Sequence, residues 1–326
     1  MCRIAPDDLI PMIPVNKPEY VVGVLGKVED YNVGLTNVPA MWRHTKGSGV
    51  KVAILDTGMP QHKDITVVGA NSFIRGYLAD LNGHATACGS VIAGTGNGGM
   101  GIVGIAPECD DYYGAVLNES GAGSFKSIAE GIRWAVDVVK ADVINLSLGA
   151  PHAYGPDEGV QKACEYAYES GVTVVAAAGN DGRDVNYPAA LDTVIAVAAV
   201  DRKLRRASFS SYGPQVEFAA GGVDVLMAYK NGGYASMSGT SFSAPVITGI
   251  CALIISKYKA EGKKLTPDEV RAHLKSISYD LGPEGRDDFT GWGIPVFTQD
   301  TKSALGRPGR PKIVGWLRRF FKWLFG

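Results

Sequence analysis

Four short runs rich in valine, isoleucine and alanine, at Val50 to Leu55, Asp142 to Leu148, Val172 to Ala178 and Thr193 to Val200, are separated by segments whose apolar residues recur at helical spacing. Strands apolar on both faces and alternating with helices imply a parallel sheet covered by helices on each side. Between two of the runs, Ser124 to Val139 places Ile128, Ile132, Ala135 and Val139 on one helical face. Another helix is predicted to begin at Thr266, where a threonine cap, Pro267 in the first turn and Glu269 form a capping box. In such sheets functional groups gather where strands end and helices begin.

With 326 residues, 46% of them hydrophobic and 20% charged, the chain has the apolar material this architecture needs and is neither disordered nor collagen-like. Its 42 glycines follow no triplet period and point to many tight turns. Basic residues (32) nearly balance acidic ones (33), and a net charge of −1 argues against nucleic acid as a partner. The balance is uneven along the chain. The 25 lysines and arginines of residues 1–300 meet all 33 acids, a net −8, whereas residues 301–326 hold seven basic residues and no acid. A separate tail is implied.

The five cysteines (Cys2, Cys88, Cys109, Cys164, Cys251) are odd in number, widely spread and never in a Cys-x-x-Cys pair, which favours free thiols in a reducing compartment. Arg3, Asp7 and Asp8 interrupt the first ten residues where a secretory signal needs an apolar stretch, and no uncharged apolar run reaches the ~18 residues of a membrane span. A cytoplasmic protein is expected. Three parts follow. Residues 1–40 form an arm whose Leu9-Ile10-Pro11-Met12-Ile13-Pro14 run favours an extended segment, residues 41–300 form the α/β body, and residues 301–326 form a tail behind the hinge Arg307-Pro308-Gly309-Arg310-Pro311.

Three motifs carry chemistry. A buried strand runs into Asp56-Thr57-Gly58, which puts a carboxylate at the strand's carboxyl end; His84 follows Asn82-Gly83 and opens a segment of small residues; Gly239-Thr240-Ser241 precedes an apolar helix and exposes a hydroxyl at its start. Singly, each is an ordinary turn former, core histidine or helix cap. Together they supply a nucleophile, the neutral imidazole that takes its proton, and the carboxylate that fixes the imidazole's tautomer. Their order Asp, His, Ser on an α/β scaffold is that of subtilisin-type enzymes.

With the flanking words AILDTG, NGHATA and GTSFSAP, the chain resembles the subtilase (S8) family of serine endopeptidases from about Met41 to Pro295. The resemblance implies a subtilisin-like three-layer fold with a mainly parallel central sheet and helices on both faces. It implies Ser241 as nucleophile, His84 as general base, Asp56 as orienting carboxylate and Asn180 in the oxyanion hole, acting on polypeptide substrates. Ser147-Leu148-Gly149 and Gly121-Ala122-Gly123 match the two strands between which a peptide adds. Ala177, Ala178 and Gly179 wall the primary pocket, whose small residues lead one to expect a large apolar side chain there. Leu117 and Phe125 are expected to line a second apolar pocket, and Tyr187-Pro188 matches a cis proline. Asp64 and Asn97 are the candidate Ca2+ ligands, although glycine stands in the Gly96–Gly101 loop where a liganding asparagine is common. Cys88, four residues after His84, matches a thiol-dependent subset.

Two departures stand beside the match. Ala85-Thr86-Ala87 replaces the usual Gly-Thr-His, and Val246 replaces a second histidine, which motivates a competing reading as a catalytically weak scaffold used for binding. Within the family the arm and Val38-Pro39-Ala40-Met41-Trp42 look most like intracellular subtilisins, where such an arm lies across the active site as an inhibitory pro-segment. Here methionine replaces an aromatic after the proline, and a body loop is shorter near residues 74–81. The tail is unrelated to that family. From Lys312, nine apolar residues (Ile313, Val314, Trp316, Leu317, Phe320, Phe321, Trp323, Leu324, Phe325) fill one helical arc opposite Lys312, Arg318, Arg319 and Lys322, the pattern of an interfacial helix on an anionic membrane surface. Such a tail also admits a membrane-tethered effector, or a helix docked on the body.

Overall fold

The computed structural model describes residues 7–11, 18–21 and 26–297, so the predicted tail helix and residues 12–17 of the arm lie outside the described residues. Three short strands come first, β1 (Ile10–Pro11), β2 (Glu19–Val21) and β3 (Val28–Glu29), then the short helices α1 (Tyr31–Leu35) and α2 (Val38–Trp42). The body continues with β4 (Lys51–Asp56), β5 (Val67–Ser72), α3 (His84–Ala93), β6 (Ile102–Val103), β7 (Asp110–Ala115), β8 (Ala122–Gly123) and α4 (Phe125–Trp134). After these come β9 (Val143–Leu146), α5 (Glu158–Glu169), β10 (Thr173–Ala177), β11 (Val194–Val200), β12 (Val216–Gly221), β13 (Val225–Tyr229), β14 (Gly233–Met237), α6 (Thr240–Ala260) and α7 (Pro267–Ser276).

Seven strands form one sheet in the order β12-β11-β10-β9-β4-β7-β5, and every pairing in it is parallel. Alternation along the strands builds two cores. Val52 and Ile54 of β4, with Val175 and Ala177 of β10, join the layer of α3 and α6, whereas Ala53, Leu55, Val174 and Ala176 join the layer of α4 and α5. Fully burying a side chain of this kind stabilises by roughly 1.5–3 kcal/mol, so a one-residue slip of β4 would exchange the two sets and is strongly disfavoured. This is the three-layer α/β fold read from the sequence. Strands after β4 first occupy one side of it (β5, β7) and then the other (β9 to β12), so the order reverses at β4 and opens a crevice at its carboxyl end, Asp56.

The local signals also hold. Ser124 caps α4 reciprocally with Ser127, and the predicted helix runs on to Val139 as a π turn over Ala135–Val139. Thr266 and Glu269 form the expected capping box of α7. Helix α6 is apolar enough to cross a membrane, but Thr240 through Ser256 are all buried, which makes it the body's central helix. Around the body, β1 pairs antiparallel with β8, β2 with β14, and β3 parallel with β6.

Candidate active site

The end of β4 delivers Asp56, which is fully buried and accepts a hydrogen bond from the N–H of Thr57 at 2.7 Å. Its two oxygens lie 2.8 and 2.9 Å from Nδ1 of His84, an arrangement that makes Nδ1 the donor and leaves Nε2 to accept. Nε2 is buried and has no hydrogen-bond partner among the described residues. Burial works against a charged His84, but the Asp56 carboxylate, helped by Cys88, outweighs it and holds the imidazole well above its ordinary pKa of 6.5. His84 is thus a stronger base than a free histidine.

His84 opens α3, and a buried carboxylate that sequence reasoning missed holds it there. Asp80 accepts from the N–H of Gly83 (2.7 Å), the N–H of Thr86 (2.8 Å) and the hydroxyls of Thr57 (2.8 Å) and Thr86 (2.6 Å). These bonds satisfy amides that a helix start leaves unpaired and favour negative charge at its positive end. Gly83 adopts φ 98°, and a Cβ there would lie 2.5 Å from the Tyr229 ring, so the tight approach to His84 requires glycine. The signal that could have found Asp80 is its place four residues before His84.

Ser241 is the second residue of α6. Pro245, four residues on, has no N–H to give its carbonyl, so that oxygen lacks a helical donor. Side chains take the role: Ser147 Oγ donates to Ser241 O at 2.8 Å and Cys88 Sγ at 3.4 Å. Ser147 in turn accepts from Asn145 Nδ2 at 2.9 Å, and Asn145 Oδ1 accepts from Thr248 at 2.9 Å, a buried chain tying β9 to α6. The Ser241 hydroxyl donates to Ser147 O at 3.2 Å. Its helix neighbour Phe242 lies against the imidazole, with ring centroids 5.6 Å apart. Asn180 Oδ1 accepts from the N–H (2.8 Å) and hydroxyl (2.9 Å) of Thr240, which turns its amide nitrogen away from that pair.

The remaining expected residues lie around this centre. Ala122 and Gly123 form β8, paired with the arm in the register Ile10 to Gly123 and Pro11 to Ala122. Ile10 is 5% exposed and joins the apolar cluster that contains Leu117, Phe125 and Leu148. Leu117 is fully buried, while Phe125 lines a pocket with Ile128, Val160, Tyr187 and Pro188. Gly121 leads into β8 and Ser147-Leu148-Gly149 follows β9; Ala177-Ala178-Gly179 continues β10, with the Gly179 N–H donating to Thr240 Oγ1 at 3.2 Å. The Tyr187-Pro188 bond is cis, as expected. Cys88 is buried, its Sγ 3.8 Å from His84 Nδ1, and burial pushes its thiol pKa up.

Asp64 is also buried. Its Oδ2 accepts from the N–H of Ile102 (2.7 Å) and the Tyr234 hydroxyl (2.9 Å), whereas Oδ1 has no partner among the described residues. Asn97 is exposed in the adjoining turn, its N–H 3.3 Å from Thr95 Oγ1. The buried, unpaired Asp64 Oδ1 is an oxygen donor of the kind a hard cation takes.

Comparison with known proteins agrees with this geometry. The family model described as the subtilase family matches residues 47–293. Subtilisin DY of Bacillus licheniformis is 43% identical over 245 residues, covering 73% of this chain and 86% of its own. Subtilisin Savinase of Lederbergia lenta is 40% identical over 255 residues, with 76% and 91% covered. The minor extracellular protease Epr of Bacillus subtilis (strain 168) is 37% identical over 283 residues, with 85% and 42% covered. At that identity and coverage, with the family model spanning Asp56, His84, Asn180 and Ser241, the chain belongs to the subtilase family and is a serine endopeptidase.

Proposed function

We propose that peptide-bond hydrolysis proceeds through an acyl-enzyme on Ser241. The Ser241 hydroxyl turns from Ser147 O to His84, its proton passes to Nε2, and Oγ bonds to the scissile carbonyl carbon. The resulting oxyanion is held by the Asn180 amide and the Ser241 N–H. Collapse breaks the C–N bond as Nε2–H protonates the leaving amine, and water repeats the sequence on the ester with the same base. Asp56 holds the tautomer and stabilises the imidazolium. The single observation behind this reading is the Asp56 pairing to Nδ1 at 2.8 Å while Nε2 stays buried without a partner among the described residues. Fluorophosphonate labelling tests it. One adduct on Ser241, lost in Ser241→Ala and slowed in His84→Ala, is expected; an adduct on another residue overturns it.

The peptide is proposed to add as a strand between Gly121–Gly123 and Ser147–Gly149. The arm is proposed to occupy that place in cis as an inhibitory segment of an intracellular-type enzyme, supported by the pairing of Ile10 with Gly123 and the burial of Ile10. Calcium, common in subtilisins, is proposed at Asp64 Oδ1 with Asn97 and loop carbonyls, where it would stabilise the loop and take no part in the chemistry. Residues 312–326 are proposed to bring the enzyme to anionic membrane surfaces from the cytoplasm, supported by their charge pattern.

A further inference from the structure

We infer that the face of the body opposite the active site docks on an anionic membrane surface, so that the enzyme lies on the bilayer with its catalytic crevice turned to solution. The inference deepens the membrane reading of residues 312–326 and rests on it for the choice of partner. Two segments make the face. Residues 42–51 and 257–265 hold seven cations (Arg43, Lys46, Lys51, Lys257, Lys259, Lys263, Lys264) against one acid, Glu261, whereas residues 1–300 as a whole stand at −8, from 25 basic and 33 acidic residues. Hydrogen bonds hold the two segments together. Thr45 Oγ1 lies 2.6 Å from Ser256 Oγ, which donates to Ser48 O at 2.7 Å, and Lys259 Nζ donates to Gly49 O at 3.1 Å. Lys46 pairs with Glu108, Lys259 with Asp142 and Lys263 with Glu261. Arg43, Lys257 and Lys264 have no ion pair among the described residues; Arg43 and Lys264 are exposed and Lys257 is half-buried.

The elements that carry the catalytic residues also place this face. β4 begins at Lys51 and ends at Asp56, about 16 Å further on, and α6 holds Ser241 in its first turn and Lys257 sixteen residues later, about 24 Å away. A surface lying against the cations therefore leaves the crevice open. The chain leaves the body nearby. Phe297 N–H donates to Thr36 O at 2.9 Å and its carbonyl accepts from Asn37 Nδ2, so only α2 (Val38–Trp42), about 8 Å long, separates that exit from Arg43. The fourteen residues between Phe297 and Lys312 span at most about 46 Å, enough to bring the tail beside the face. Lysines and arginines attract any polyanion, but the tail sets nine apolar side chains beside its four cations, which suits lipid rather than nucleic acid. The two attachments reinforce each other, because binding of the tail brings the face to the leaflet at high effective concentration.

Sedimentation with phosphatidylcholine vesicles containing about 30% phosphatidylserine tests the inference, using the full chain with Ser241→Ala to prevent autolysis. At about fivefold per cation, the face variant Arg43→Gln, Lys257→Gln, Lys264→Gln should bind about a hundredfold more weakly. Removing three exposed cations elsewhere (Arg75→Gln, Arg183→Gln, Lys203→Gln) should change binding less than about threefold. Wild-type enzyme should cleave a soluble peptide equally with and without vesicles, and cleavage lost on the vesicles overturns the orientation. A face variant that binds like its parent overturns the inference, and the tail reading survives if deletion after Gly309 still abolishes binding. Binding kept after that deletion and lost in the face variant overturns the tail reading and supports the face. RNA captured in place of vesicles, and lost in the face variant, assigns the face to nucleic acid and overturns the inference.

Discussion

Replacing Asp111 by asparagine should remove a large part of the protein's loss of stability as pH rises. Asp111 lies on β7, 1% exposed, in the layer beneath α3. Tyr113 Oη donates to it at 3.1 Å and Cys109 Sγ at 3.5 Å, and the Tyr113 hydroxyl fills the space a Cβ on Gly89 would occupy, next to Cys88. Burial dominates and raises its pKa from 3.8 to about 7, with the two hydrogen bonds pulling the other way. The folded protein therefore keeps a proton that the unfolded chain releases above 3.8, so stability falls between pH 3.8 and 7 and levels off beyond. A shift of about three units at ~1.36 kcal/mol each is about 4 kcal/mol. Asparagine has no such proton, and its amide oxygen can still accept from Tyr113. Urea unfolding of Asp111→Asn and its parent from pH 4 to 9, both carrying Ser241→Ala to prevent autolysis, measures the difference. The parent should lose about 4 kcal/mol relative to the variant across that range, and parallel curves would refute the reasoning.

Three further expectations bear on regulation. Ile10→Glu removes roughly 2 kcal/mol of apolar burial and puts a charge into the Leu117–Phe125 cluster, so peptidase activity of the full chain should rise tenfold or more; equal activity would make β1 a packing element. A mercurial at Cys88 should displace the imidazole and inhibit, while Cys88→Val remains active and resistant, and inhibition that persists in the variant would implicate another thiol. Four cations in residues 312–326 contribute about 4 kcal/mol at an anionic leaflet, a roughly millimolar attachment before aromatic burial is added. The chain should co-sediment with anionic but not zwitterionic liposomes, and lose this on deletion after Gly309; binding that survives the deletion excludes the tail as the anchor.

What the sequence reveals here follows from the range of the interactions. The β4, β9, β10 and β11 runs are legible because a strand buried on both faces must be continuously apolar, and α4 and α7 because their caps are formed within three residues. β7 escapes the same reading because it begins Asp110-Asp111 and carries a buried carboxylate solvated by its own neighbours. β5, at the sheet edge, is only partly covered, so Val67–Ser72 is not a continuous apolar run. The motif around Ser241 is legible as a word, but the reason for its proline is not: the unpaired Ser241 carbonyl is satisfied by Cys88 and Ser147, 153 and 94 residues away.

The central claim, that Ser241, His84 and Asp56 act as one unit, is tested most directly by kcat/KM of Ser241→Ala, His84→Ala and the double variant on one peptide. Each single change should lower it by about 10⁴-fold or more, and the double variant should fall no further than the lower single. A double variant that falls by the product of the two single losses would mean that the serine and the imidazole work independently, and would contradict the account.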